Sequence, residues 1–168
     1  MKKPWISAYI MVLLSFSFTA SPGQITSSSY KALLKTLYKN TVPLVSCDDA
    51  AKMKSVQFLD TREREEFNVS HIPNARWVGY DDFSLDKMKG IDKSTPLVVY
   101  CSVGVRSEQI GKQLLDAGYT NVQNLYGSLF EWVNQGKLIV DDKGKPTNKV
   151  HAYSRTWGIW LRKGEKVY

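Results

Sequence analysis

Cys101 and Arg106, with four residues between them, together suit nucleophilic chemistry on an anion. The cysteine can supply the nucleophile and the arginine a positive charge. The apolar run Leu97–Tyr100 precedes Cys101 and predicts a buried strand, because it is short and β-branched. A helical pattern follows Gly104. A cysteine between a strand and a helix N-terminus faces unpaired backbone N–H groups, which favour the thiolate over the thiol. We therefore expect a lowered pKa for Cys101.

The loop after Cys101 can bind an anion through its backbone N–H groups. Arg106 adds a planar guanidinium that suits an oxyanion. We predict that Cys101 is the nucleophile and that the loop binds the substrate through Ser102, Val103, Gly104, Val105 and Arg106. The alternative is a buried, inert cysteine with Arg106 exposed on the helix.

Strands and helices alternate along the chain, which favours an α/β fold with a mostly parallel sheet covered by helices on both faces. The predicted strands are Val42–Val45, Val56–Asp60, Ala75–Val78, Leu97–Tyr100 and Val122–Leu125. The predicted helices are Ala50–Met53, Glu63–Asn68, one within Tyr80–Lys89, Val105–Ala117 and Leu129–Asn134. Together these elements position the loop at the carboxyl edge of the sheet.

Asp60 and Arg62 end another predicted strand at this same edge, where open α/β sheets place their sites. We favour an ion-pair and capping role for them, in which they fix the loop rather than touch the substrate. Ser107 is a third supporting residue. His71 is a candidate general base, because a histidine beside a cysteine is a familiar activated pair.

Two segments in this region resemble motifs of rhodanese-like sulfurtransferases. Cys101–Ser107 resembles their active-site loop, Cys-x-x-Gly-x-Arg/Lys-Ser/Thr. Phe58–Phe67 resembles their Asp-x-Arg-x-x-x-Glu-Phe segment. The order and spacing of these and two further motifs make the resemblance specific, and it covers roughly residues 43 to 137.

The two further motifs depart from the family pattern at glycines. Ser70–Ala75 resembles Gly-His-Ile-Pro-Gly-Ala, with Ser70 and Asn74 in place of both glycines. Tyr126–Trp132 resembles a segment ending in Gly-Gly-x-x-x-Trp, with Ser128 in place of one glycine. In this resemblance His71 belongs to a structural turn, which disfavours a catalytic role.

The resemblance implies a rhodanese-like, doubly wound, mostly parallel five-stranded sheet. It also implies ping-pong transfer of sulfane sulfur, from thiosulfate or a persulfide donor to a thiol or cyanide-like acceptor, through a persulfide on Cys101. The four-residue spacing to Arg106 is similar to that of sulfurtransferases, whereas the loop of related phosphatases is one residue longer. Ser102 and Val103 are neutral where some thiosulfate enzymes carry basic residues, so the natural donor stays open.

Two other functions remain open. A non-catalytic rhodanese-like binding module would keep the fold, although such modules often lack the cysteine. A thiol redox or sulfur-relay protein would pair Cys101 with Cys47, the other cysteine of the chain. Cys47 is expected to begin a helix away from the loop, which disfavours that pairing.

Composition limits the partners. The formal net charge is +7, but no dense basic block occurs, so we expect no nucleic-acid partner. Two cysteines are too few for a disulfide framework, and no metal or cofactor motif is present. We expect a small anionic sulfur donor and a thiol acceptor, which can be a protein.

The chain divides into four parts. Residues 1–23 resemble a cleaved signal peptide, with Lys2 and Lys3 before an apolar segment too short and serine-interrupted for a stable membrane anchor. We therefore expect export to a bacterial periplasm. Residues 24–42 predict an amphipathic helix packed on the domain, and residues 43–137 form the rhodanese-like domain.

The fourth part, residues 138–168, is rich in lysine, glycine and aromatic residues. We expect it to wrap the domain as an extended tail, with its aromatic side chains covering apolar surface. Trp157 and Trp160 are alternatively candidates for binding a partner.

Overall fold

A parallel five-stranded sheet forms the centre of the structure, a computed structural model that describes residues 25–168. The strands lie in the order β1-β5-β4-β2-β3, and every pair is parallel. The predicted α/β fold is confirmed. The strands are β1 (Leu44–Val45), β2 (Gln57–Asp60), β3 (Arg76–Trp77), β4 (Leu97–Tyr100) and β5 (Val122–Leu125).

Helices cover both faces of the sheet. The peripheral strands β1 and β3 are shorter than predicted, and in β1 the ladder begins only after Pro43, which has no N–H to donate. Only a 3₁₀ helix, Leu85–Met88, forms within the predicted segment Tyr80–Lys89. The α-helices of this part are α1 (Ser28–Leu37), α2 (Cys47–Lys52), α3 (Arg64–Val69), α4 (Val105–Asp116) and α5 (Ser128–Asn134).

The central strand β4 is buried on both faces, which explains why its sequence is continuously apolar. Val98 and Tyr100 belong to the core beneath α1 and α5. Leu97 and Val99 belong to the opposite core beneath α4. A strand enclosed in this way fixes the position of the residue that follows it, which is Cys101.

The N-terminal helix α1 packs on the domain through Tyr30 and Leu34, which are buried. The Ser27 side chain caps its N-terminus by accepting a hydrogen bond from the Tyr30 N–H. Beyond its C-terminus, the buried carboxylate of Glu108 on α4 accepts hydrogen bonds from the Lys39 and Thr41 N–H groups at 3.0 and 2.7 Å. These bonds hold the segment before β1 in place.

Tyr38 connects this segment to the predicted active-site loop. Its buried hydroxyl donates to the Val103 carbonyl at 2.7 Å and accepts from the Gly127 N–H at 3.1 Å. One side chain outside the predicted domain therefore satisfies backbone groups on two loops beside Cys101.

The C-terminal extension has more structure than the predicted extended tail. Strands β6 (Lys149–His151) and β7 (Glu165–Val167) pair in parallel around the short helix α6 (Arg155–Gly158). Burial of the apolar side chains Val150 and Leu161 accounts for this folding. The extension therefore adds a small second sheet to the molecule.

The predicted signal peptide, residues 1–23, lies outside the described residues. Within residues 25–168, no helix is long and apolar enough to cross a membrane.

We predict that Tyr38→Phe lowers the free energy of unfolding by about 1–3 kcal/mol, because the Val103 carbonyl and Gly127 N–H both lose a buried partner. Urea unfolding measures the change. Tyr80→Phe, which removes an exposed hydrogen bond to Gln109, is the matched control and should cost about 0.5 kcal/mol or less. Equal costs for the two variants would contradict the role of Tyr38.

Candidate active site

Cys101 lies at the carboxyl end of β4, directly before the loop that leads into α4, and only 1% of its surface is exposed. Its N–H donates to the Ser128 Oγ at 2.8 Å. Its Sγ accepts from the Gly104 N–H at 3.0 Å. The sulfur therefore accepts from a backbone N–H at the start of α4, where the sequence predicts such donors.

Gly104 allows the loop to turn toward the sulfur. Its φ of +108° is a conformation that residues with a Cβ rarely adopt. A Cβ at this position would also collide with the Tyr38 hydroxyl. The Gly104 carbonyl accepts from the Asn124 amide at 2.9 Å, and that amide's oxygen accepts from the Ser107 hydroxyl at 2.7 Å. This buried chain of bonds keeps the first turn of α4 against Cys101.

The pKa of Cys101 is lowered, in the direction that the sequence predicts. Burial raises the pKa of this thiol, but the charge of Arg106 and the N–H groups of Ser107 and Gly104 outweigh burial. Cys101 is therefore a thiolate over a wider pH range than an ordinary cysteine, and the thiolate is the reactive form.

The Arg106 guanidinium is paired with a carboxylate. Its Nη1 and Nη2 donate to the two carboxylate oxygens of Glu66 on α3, at 2.7 and 2.8 Å. The Ser102 hydroxyl donates to the same carboxylate at 2.9 Å. Glu66, for which no role was predicted, thus holds the side chains of both Ser102 and Arg106.

Glu66 is ionised in this arrangement. Burial raises the pKa of its carboxyl, but the hydrogen bonds and charge of Arg106 outweigh burial and lower the pKa overall. Glu66 therefore balances the charge of Arg106 while Arg106 still lowers the pKa of Cys101.

Asp60 and Arg62 form a fully buried ion pair at the carboxyl end of β2, with 2.7 Å between Arg62 Nη2 and Asp60 Oδ2. Arg62 Nη2 also donates to the Ser70 carbonyl at 2.6 Å. The Trp77 indole N–H donates to the Arg62 carbonyl at 2.9 Å. These bonds join the loops at this edge, which matches the structural role favoured for the pair.

His71 also has structural contacts. Its backbone forms an antiparallel bridge with Val140, and its ring stacks on Phe67 with 3.8 Å between ring centroids. The ring Nδ1 lies 3.0 Å from the Phe67 carbonyl oxygen. These contacts fix a turn, in agreement with the position of His71 in the resembled motif.

Ser128 and Asn74 replace glycines of the resembled motifs but keep a glycine-like backbone, with φ of 57° and 61°. Ser128 uses its extra hydroxyl to accept from the Cys101 N–H. The substitution was visible in the sequence, whereas its contact with Cys101 required the structure.

An open pocket of about 210 Å³ leads to Cys101. Its lining includes Val103 and Val105 from the loop, Leu37 from α1, and Tyr153 and Trp157 from the C-terminal extension. All the predicted loop residues except Gly104 thus line the pocket, and both extensions contribute to its wall. Neither contribution was predicted.

Of the two tryptophans considered for partner binding, Trp160 stacks on Tyr30 with 5.5 Å between ring centroids and so covers apolar surface. Trp157 also packs against the core and in addition lines the pocket.

Cys47, the resolving partner in the redox alternative, begins α2 and is buried. Its thiol donates to the Tyr126 carbonyl at 3.7 Å, and burial raises its pKa. Both cysteines are free thiols. Cys47 is thus an unreactive thiol in the core.

The sequence profile of the rhodanese-like domain matches residues 43–135, more than half of the chain. The chain belongs to the rhodanese-like family. A tRNA uridine(34) hydroxylase of Hamiltonella defensa subsp. Acyrthosiphon pisum is 31% identical over 116 residues, which are 66% of this chain and 30% of the hydroxylase. An adenylyltransferase and sulfurtransferase of Meyerozyma guilliermondii is 34% identical over 85 residues, 46% of this chain and 20% of that protein. The chain thus spans less than a third of either relative.

Solved structures show the same fold. The polysulfide-sulfur transferase homodimer of Wolinella succinogenes superposes with a TM-score of 0.54 at 25% identity, over 67% of this chain and 88% of that chain. The thiosulfate sulfurtransferase of Pseudomonas aeruginosa superposes with a TM-score of 0.56 at 21% identity, over 79% of this chain and 26% of that chain. The second likeness is one of fold alone.

We predict that Arg106→Gln raises the pKa of Cys101, because it removes the positive charge that contributes most to stabilising the thiolate. Iodoacetamide alkylates the thiolate, so the alkylation rate of Cys101 rises with pH and reaches half its maximum at the pKa. Intact mass measured from pH 5 to 10 gives this midpoint. The midpoint should move to higher pH, and the rate at neutral pH should fall severalfold. Arg155→Gln, which removes an exposed arginine of the extension, is the control. An unchanged midpoint in Arg106→Gln would contradict this account.

We predict that Ser128→Ala destabilises the fold by about 1–3 kcal/mol, because the buried Cys101 N–H loses its acceptor. Ser128→Gly should cost about 1 kcal/mol less, because glycine relieves the left-handed backbone. Urea unfolding of both variants, with exposed Ser84→Ala as the control, measures the difference. A glycine variant no more stable than the alanine variant would refute the strain at this position.

Proposed function

We propose that this protein is a sulfurtransferase that carries sulfane sulfur as a persulfide on Cys101. The supporting observation is the position of the Cys101 sulfur, which lies at the base of an open pocket and accepts from the Gly104 N–H at the start of α4 at 3.0 Å. The lowered pKa of Cys101 agrees with this position. An anionic sulfur nucleophile placed in this way can attack a sulfane sulfur and remain anionic afterwards.

In the first half-reaction the Cys101 thiolate attacks the outer sulfur of the donor. A new S–S bond forms while the donor's S–S bond breaks, and the electron pair leaves with sulfite from thiosulfate or with a thiolate from an organic persulfide. Cys101 then carries a terminal sulfur with a negative charge. The Gly104 N–H and the other amides at the start of α4 are the groups that stabilise this charge.

In the second half-reaction a thiolate or cyanide attacks the terminal sulfur. The S–S bond to Cys101 breaks, and its electron pair returns to Cys101 as the thiolate. The same backbone donors serve both states, because each places one negative charge in the loop. Arg106 lowers the pKa of Cys101 and is itself held by Glu66 through two hydrogen bonds.

The comparisons support sulfur transfer more than they support a particular donor. One relative is named a sulfurtransferase and one solved neighbour a polysulfide-sulfur transferase. A non-catalytic binding module would not require a cysteine whose sulfur lies at the base of a pocket and accepts from the Gly104 N–H. Cellular partners in this proposal are an anionic sulfur donor and a thiol acceptor, which can be a protein thiol.

We also propose that the protein acts in a bacterial periplasm after removal of residues 1–23. The charged start and short apolar segment of the sequence support export. Intact mass of the protein recovered from periplasmic extract tests this, and a cytoplasmic product that retains Met1 would contradict it.

We predict that incubation with thiosulfate or inorganic polysulfide adds one sulfur atom to the wild-type protein, and that cyanide removes it. Cys101→Ser should show no gain, because the nucleophile is absent. Cys47→Ser should gain sulfur like wild type, because Cys47 is buried and its thiol faces the Tyr126 carbonyl. Intact mass spectrometry distinguishes the three proteins. A wild-type protein that accepts sulfur from no donor, although iodoacetamide alkylates Cys101, would overturn the proposal.

A further inference from the structure

The wall of the active-site pocket comes partly from outside the rhodanese-like domain. Leu37 of α1 precedes the matched residues 43–135, and Tyr153 and Trp157 follow them. All three side chains have large apolar surfaces, and the loop adds Val103 and Val105 to the same pocket. The reactive sulfur is therefore approached across an apolar surface.

The charge at this pocket is nearly balanced. Among the described residues that line the pocket leading to Cys101, Arg106 alone is charged. Its guanidinium is paired with Glu66, whose side chain is 3% exposed, and lies 3.9 Å from the carboxylate of Glu63. The Ser102 hydroxyl donates to Glu66 as well. The side chains around the sulfur thus offer little net positive charge to a small dianion.

Tyr153 is held in a defined position although 53% of its surface is exposed. Its backbone adopts a left-handed φ of 64°, and its N–H donates to His151 Nδ1 at 3.2 Å. The Arg106 guanidinium carbon lies 5.0 Å from the centroid of its ring. The preceding residue, Ala152, is fully buried, which anchors the turn. Tyr153 is therefore a fixed part of the pocket mouth.

We propose that Leu37, Tyr153 and Trp157 form a specificity surface that selects small organic sulfane-sulfur donors with an apolar or aromatic group, in preference to thiosulfate. This inference rests on the proposed sulfur transfer through Cys101 and assigns its substrate class. The apolar group of the donor packs against the three side chains, and the sulfane sulfur reaches Cys101 at the base of the pocket.

Thiosulfonates are suitable probes, because they carry one negative charge and an organic group on the same reacting unit. The Cys101 thiolate attacks the outer sulfur of RSO₂S⁻, the S–S bond breaks, and RSO₂⁻ leaves with the electron pair. Cys101 retains one sulfur and one negative charge, so atoms and charges balance. Benzenethiosulfonate and methanethiosulfonate differ in the organic group, and thiosulfate adds a second negative charge in its place.

The experiment measures kcat/KM for the three donors with cyanide as acceptor. Comparing variants cancels the intrinsic reactivity of each donor. We define the benzene-to-methane ratio as kcat/KM for benzenethiosulfonate divided by kcat/KM for methanethiosulfonate. We expect Tyr153→Ala and Trp157→Ala to lower this ratio at least about fivefold, because they remove apolar surface against which the phenyl ring of the donor packs. Tyr153→Phe should retain the ratio, because it retains the ring.

Tyr168→Ala is the matched control, since Tyr168 belongs to the same extension, is 55% exposed and lies near Arg155 rather than the pocket. It should leave the ratio unchanged. Glu66→Gln should raise kcat/KM for thiosulfate severalfold relative to methanethiosulfonate, because it removes the charge that balances Arg106. Iodoacetamide alkylation of Cys101 checks that each variant retains the folded site.

The outcomes separate the two proposals. Sulfur transfer that persists with an unchanged benzene-to-methane ratio in both Tyr153→Ala and Trp157→Ala overturns the specificity surface and leaves the proposed function standing. A wild-type preference for thiosulfate over benzenethiosulfonate also overturns it. Persulfide formation from inorganic polysulfide but from none of the three donors overturns the specificity surface and leaves the proposed function standing. Absence of a Cys101 persulfide with the three donors and with inorganic polysulfide overturns both proposals.

Discussion

Keeping a thiolate charged where almost no water reaches it is the constraint on which the site depends. Cys101 is 1% exposed, so burial alone would keep it a neutral thiol. The opposing interactions are the charge of Arg106 and the N–H groups at the start of α4, and all of them require the loop to turn at Gly104. The buried strand β4 places the sulfur, and the loop then supplies donors whose directions are already fixed.

Glu66 holds the Arg106 guanidinium in place beside the sulfur. The same carboxylate also shortens the distance over which the positive charge of Arg106 acts. Glu66 binds the guanidinium through two hydrogen bonds, which hold the long Arg106 side chain in one orientation. At short distance the guanidinium still lowers the pKa of Cys101. At the pocket mouth, farther away, the paired charges offset each other. Ionising the nucleophile and attracting an anionic substrate are thus separate properties in this site.

The residues that could be predicted are those whose environment is local in sequence. The strand before Cys101, the turn at Gly104 and the helix after it follow from neighbouring residues, and the structure has all three. Glu66 could not be assigned, because its partner Arg106 lies 40 positions away. The contact of Ser128 with Cys101 spans 27 positions, so its departure from the glycine pattern was visible but its purpose was not.

The segments on either side of the domain also make contacts between residues distant in sequence, which the sequence could not predict. These segments form part of the pocket wall. Tyr38 supports the loop from outside the domain, and Tyr153 and Trp157 reach the pocket from the opposite end of the chain. Composition alone predicted that aromatic residues would cover apolar surface, which holds for Trp157 and Trp160. Only the structure shows that Trp157 and Tyr153 also line the pocket. Since the domain already supplies the reactive thiolate, segments packed around its mouth can change substrate preference without altering the groups that ionise Cys101. In this chain the groups that lower the pKa of Cys101 lie within the rhodanese-like domain, whereas the proposed specificity surface comes from the segments on either side of it.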